Sequence, residues 1–175
     1  MTKLYIPRSR PGLVPRPRLI ERLDESLQLG RKLTLIAAPA GFGKTTLLVE
    51  WIRGRNAGMP PLRTAWVSLD GRDNDPAHFL TYLIASLETL DLPIREGLLE
   101  VLRSPQPPPL ESVLVSLVSD LTRPAGSQRT DLPIVLILDD YHLIKARAVH
   151  DAVAFLLDHL PVPPHVITSQ PSDRP

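Results

Sequence analysis

Apolar positions along the chain fall into blocks that alternate between two periods. Arg18–Leu29 places Leu19, Ile20, Leu23 and Leu27 on one helical face, with Gly30 as the stop. Lys32–Ala38 (KLTLIAA) is a short continuous apolar run that predicts a buried strand, and residues 39–43 form a glycine-bearing turn. Lys44–Arg55 returns to helical spacing through Leu47, Leu48, Trp51 and Ile52. Arg63–Asp70 (RTAWVSLD) predicts a second strand. Asn74 or Asp75 can then cap a helix with Pro76 in its first position and Phe79, Leu80, Leu83, Ile84 and Leu87 as its stripe.

A shorter helix is expected at about 95–103, before the break PQPPP. Leu110–Thr122 predicts another helix on Leu114, Leu117, Val118 and Leu121, and Ser127–Asp131 a polar loop. Pro133–Asp139 (PIVLILD) is the clearest strand, Ala148–Leu160 a helix, and His165–Ser169 (HVITS) a last short strand. Strands alternating with helices predict a three-layer α/β/α fold around a parallel sheet of about four strands. Continuous apolar strands fit a sheet covered on both faces. Residues 1–17 are expected to form a basic, proline-rich extended arm, and 18–175 the domain proper. No internal repeat is evident.

Composition narrows the chemistry. The 175 residues carry a net charge of +1, which argues against a surface built to coat nucleic acid. No cysteine is present, which excludes disulfides, thiolate metal sites and thiol catalysis. Aromatics are 5%, which disfavours stacking platforms for single strands. The longest aliphatic run, Ile134–Leu138, is too short to span a bilayer, so no membrane partner is expected. The start lacks an apolar secretory segment, and the expected location is cytoplasmic. Of the 20 prolines, 13 gather at 7–17, 105–109 and 161–175, between the periodic segments.

The strongest chemical signal is Ala38-Pro39-Ala40-Gly41-Phe42-Gly43-Lys44-Thr45. It matches the phosphate-loop pattern G-x-x-x-x-G-K-[ST], with Ala38 in place of the first glycine, and it joins a predicted strand to a predicted helix. Gly41 and Gly43 let backbone N–H groups turn inward as an anion nest, and the helix start adds unpaired donors. Lys44 would reach the β- and γ-phosphates, Thr45 would ligate Mg²⁺, and Thr46 would donate to the α-phosphate. A glycine-rich turn with a chance lysine is the competing reading, and the strand-to-helix context outweighs it.

Such a loop needs an acid for the metal. The strand at 133–139 delivers Asp139-Asp140, so Asp139 is the candidate Mg²⁺ carboxylate and Asp140 the candidate group that orients or deprotonates water. The long separation of Lys44 from Asp139 leaves room for an intervening strand. Arg72, Asp73 and His142 lie near these strand ends, but a solvated loop is the default for the first two and a packing turn for the third. His78, His150, His159 and His165 read as surface, and Trp51 and Trp66 as core.

The segments LYIPRSRPGLVPRPRLIERL, KLTLIAAPAGFGKTTLL, AWVSLDGRDNDPAHFLTYLIASL, ILDDYHLI and HVITS occur in one order. In that order the chain resembles the ATPase domain of the large ATP-binding LuxR-type transcriptional regulators, MalT-like members of the STAND class of P-loop ATPases. The resemblance implies an ATP/ADP switch with Mg²⁺, in which exchange of ADP for ATP leads to self-association and slow hydrolysis resets the protein. It implies that Val14, Arg16 and Leu19 lie near the base. It also implies a longer protein, with a further strand, sensing repeats and a DNA-binding domain. The chain therefore reads as a truncated domain with no direct DNA binding of its own. In the family an arginine that senses the γ-phosphate follows the fourth strand, where this chain has Gln170. Without the further strand, Leu33–Ala37 is expected to be an exposed apolar edge. The alternatives are a standalone P-loop phosphotransferase and a non-catalytic remnant.

Overall fold

The computed structural model describes residues 2–8, 14–58, 61–90, 92, 94–95, 97–122, 133–160 and 165–170. Four strands, β1 (Leu33–Ala37), β2 (Arg63–Ser68), β3 (Ile134–Asp139) and β4 (His165–Gln170), form one parallel sheet in the order β1-β4-β3-β2. Among the described residues, six α-helices surround it: α1 (Pro17–Gln28), α2 (Lys44–Gly58), α3 (Pro76–Glu88), α4 (Leu98–Leu102), α5 (Leu110–Thr122) and α6 (Arg147–His159).

Successive residues of a strand face opposite sides of a sheet, so an all-apolar strand feeds two cores. Val135 and Ile137 of β3 join Trp66, Ile167, Trp51 and Leu48 under α1 and α2. Leu136 and Leu138 join Val67, Phe79, Leu83 and Leu117 under the helices of the other face. This is the expected α/β/α sandwich.

Local chemistry fixes the ends. Pro76 opens α3, and the Asp75 side chain accepts the Ala77 N–H. β2 stops at Ser68 rather than Asp70, because Asp70 leaves the ladder to cap a short 3-10 helix, Gly71–Asn74. That cap is reciprocal: Asp70 N–H donates to the Asp73 carboxylate at 2.6 Å. The helix expected at 95–103 is shorter, because Gly97 enters it with φ 87°.

Several polar residues depart from expectation. Asp73 is not on a solvated loop. It is fully buried and receives Lys3 Nζ at 2.7 Å and bonds His78 Nδ1 at 3.0 Å. Lys3 lies in a 3-10 helix, Thr2–Leu4, that packs against β2 and α3, so that part of the arm is not extended. His165 is buried rather than at the surface. Its Nδ1 bonds the Arg31 carbonyl and its Nε2 bonds Thr34 Oγ1 at 2.8 Å, and burial pushes its imidazole pKa down. The polar loop expected at 127–131 lies outside the described residues.

Candidate functional site

In a parallel sheet the C-terminal strand ends share one rim, and the loops there carry the chemistry. β1 delivers the turn 38–43 to that rim. Ala38 still donates to the Gln170 carbonyl at 3.2 Å, which extends the β1–β4 ladder by one bond. An alanine at the loop's opening is therefore held as ladder backbone. The chain then curls through Gly41 (φ 81°) and Gly43 (φ 74°), conformations that side chains resist. At Gly43 space is short as well, since a Cβ would sit 3.3 Å from the Arg16 guanidinium. Pro39 accepts the Phe42 N–H, and Ala40 lies exposed at the crest of the turn.

The Lys44 ammonium folds over this turn and donates to the carbonyls of Ala38 (2.8 Å) and Pro39 (3.2 Å). Arg16 Nη1 donates to the Phe42 carbonyl at 2.8 Å, which ties the segment before α1 to the turn. A cavity of about 550 Å³ lies beside it, lined by Arg16, Leu19, Leu23, Ala37, Phe42 and Lys44 among others. Val14 is 78% exposed and is not among the lining residues. Thr46 is half-buried in the first turn of α2.

β3 delivers the acids. Thr45 Oγ1 donates to Asp139 Oδ2 at 2.8 Å, joining two residues 94 apart in sequence. The other oxygen of Asp139 accepts from Ser169 Oγ at 2.5 Å, and Ser169 Oγ accepts the Asp140 N–H at 2.9 Å. Ser169 is a residue that the motifs miss. Its signal is its place at the end of β4, the strand between the two that carry the loop and the acid. Asp140 has φ 58° and is the sole non-glycine residue of positive φ among those described. Its carboxyl pKa is raised, first by burial and then by the neighbouring charge of Asp139. His142 Nδ1 stands 3.8 Å from Asp140 Oδ1.

A hydroxyl and a carboxylate facing an inward-curled loop form a hard-oxygen donor set. No protein-family model matches the chain. The chain is 35% identical over 160 residues to the HTH-type transcriptional regulator MalT of Klebsiella pneumoniae, and 34% to MalT of Yersinia enterocolitica. Over this stretch the chain resembles the MalT regulators. These matches cover 91% of the chain but only 16% of each relative's length. Among solved structures it is similar to the Walker-type ATPase PABY2304 of Pyrococcus abyssi, with a TM-score of 0.51 and 16% identity over 92% of this chain and 46% of that one. That likeness shows the P-loop fold. Among the described residues, no helix of this MalT-like domain is long and apolar enough to cross a membrane.

Proposed function

We propose that the chain is the ATP/ADP-binding switch domain of a cytoplasmic LuxR-type regulator, with slow Mg²⁺-dependent hydrolysis at most and no DNA contact of its own. The observation that carries this reading is the Thr45–Asp139 pair, set beside a loop with two positive-φ glycines. Thr45 and Asp139 are the residues that would hold Mg²⁺. When bound, the cation supplies charge neutralisation at the phosphates. The loop N–H groups and the start of α2 favour phosphate oxygens. Lys44 would exchange its two carbonyl partners for those oxygens, and Leu19, Leu23 and Leu47 within the mixed lining of the cavity beside Arg16 suit the flat face of a base.

Asp140, half-exposed with a raised carboxyl pKa, would orient water or take its proton. Gln170 stands where the family places a charged sensor, and its neutral amide supports slow turnover. Thermal unfolding with Mg²⁺-ATP, Mg²⁺-ADP and neither is the test. At one hundred times its dissociation constant a nucleotide adds about 2.7 kcal/mol, and Lys44→Ala is expected to remove most of that gain. A folded wild-type chain that neither nucleotide stabilises would overturn the reading.

A further inference from the structure

The sequence offers Asn74 and Asp75 equally as the cap of α3. Asp75 takes that role, and Asn74 turns the other way. Its side-chain Oδ1 accepts the N–H groups of Lys145 (2.6 Å) and Ala146 (2.8 Å). Its Nδ2 donates to the carbonyls of Leu143 (2.9 Å) and Gly71 (3.1 Å). All four partners are backbone groups. Two offer hydrogens and two offer lone pairs, so the amide fits in one orientation only.

The two ends of this tie are unlike. Behind Asn74 the backbone is fixed by the reciprocal Asp70–Asp73 cap on one side and by Pro76 on the other. In front of it lies the turn that leaves β3: Asp140 at positive φ, then the 3-10 helix Tyr141–Leu143, then Ala146 at the start of α6. Asp140 has no side-chain cap within that helix, and its own N–H is bonded to Ser169. A non-glycine residue at positive φ persists where its surroundings hold it. Ser169 holds Asp140 from the β4 side, and Asn74 holds the segment after it from the β2 side.

We infer that Asn74 is a positioning residue of the nucleotide site, acting by clamping the turn that presents Asp140. The inference rests on the reading of Asp140 as part of that site. Asn74 is distant in sequence from both the phosphate loop and the acids, and no motif built on Lys44 and Asp139 would select it.

The test has two arms. The first is amide hydrogen exchange of the nucleotide-free chain, wild type beside Asn74→Ala. Faster exchange confined to residues 140–146, with β3 and α2 unchanged, is the expected result. Unchanged protection at Lys145 and Ala146, or loss spread over the whole molecule, would overturn the clamp. If Asn74→Ala fails to fold, Asn74→Asp replaces it. That variant keeps the acceptor and loses the donor, so Lys145 and Ala146 should stay protected while Leu143 and Ile144 exchange faster. Uniform behaviour of the four amides would sink the proposal.

The second arm is steady-state ATP hydrolysis. Displacing a group beside the reacting centre lowers turnover by about tenfold to a hundredfold. Asn74→Ala should therefore lower kcat on that scale with KM within about twofold, and Asn74→Asp should fall between it and wild type. A matched loss of nucleotide affinity and melting temperature would show a structural role and reject positioning. If the wild-type chain binds ATP without turning it over, the exchange pattern alone decides. If it binds no nucleotide, the site reading fails while the exchange arm still reports on the clamp.

Discussion

β1 and β2 are the two edges of one sheet, and they are finished differently. Against β2 lies the 3-10 helix Thr2–Leu4, with Leu4 packed on the apolar cluster below it. Lys3 pins that helix through Asp73 at 2.7 Å and Asp70 at 3.0 Å, and its ammonium sits 4.9 Å from the centre of the Tyr82 ring. At β1, Leu33 and Leu35 are 45% and 52% exposed, and among the described residues β4 is the sole partner strand. An open strand edge with apolar side chains is a template for further pairing. The difference teaches that the rim bearing the acids is braced from its far edge inward, by contacts that begin three residues into the chain. Among the described residues β1 pairs with β4 alone, and its other support comes from one face, where Ile36 packs under α1 and α2 and Thr34 bonds Ser26.

The largest expected effect comes from breaking the braced edge. Asp73→Ala removes the buried half of the Lys3 pair, leaving the ammonium only the partly exposed Asp70 carboxylate, and strands the Asp70 N–H. Removing one partner of a buried pair costs about 3 kcal/mol, and urea unfolding would read it as a lower midpoint with an unchanged slope. A loss below about 0.5 kcal/mol would mean that the pair braces nothing.

A smaller effect is a pH dependence at the same edge. Hydrogen bonding from the Lys3 ammonium is the first cause that draws the Asp70 carboxyl from its ordinary 3.8 down to about 2. A depressed carboxyl adds stability above its unfolded value, and that stability is lost as pH falls through the folded value. Unfolding midpoints should therefore drop across the interval from 3.8 to about 2, and Lys3→Met should flatten this part of the curve. Parallel curves for the two proteins would contradict the assignment.

The smallest effect on stability belongs to the open edge. Leu35→Lys replaces a half-exposed side chain and should change unfolding by less than about 0.5 kcal/mol. It should nevertheless weaken self-association, because charge on an edge strand opposes pairing. Sedimentation of both proteins over a concentration series checks this, and equal association would place the contact elsewhere.

Periodicity carried much of the fold. β2, β3 and β4 carry apolar runs whose alternate residues reach two cores, while β1 packs one face only, so the layers follow largely from the sequence itself. The glycine turn between β1 and α2, with Lys44 and Thr45 opening the helix, was legible because it joins an apolar run to a helical stripe. Ser169, Asn74 and the Lys3–Asp73 pair were not legible. Each acts through a partner far away in sequence, 30, 69 and 70 residues respectively, and polar side chains at such distances leave no period to detect. Asp73 also runs against the rule that carboxylates face water, since its burial is visible only once Lys3 and His78 are brought to it.

The strand order has a consequence in time. β1 pairs with β4, so Leu33 waits for Val166, and Thr34 and His165 bond across 131 residues. During synthesis the phosphate-loop strand is made early and its sheet partner late. Distant pairings of this kind slow folding, because a long loop must close before any contact rewards it. A ribosome stalled before His165 would therefore carry the Walker-type sequence without the strand that anchors it. On the proposed reading, nucleotide affinity would emerge abruptly with β4 rather than grow with chain length.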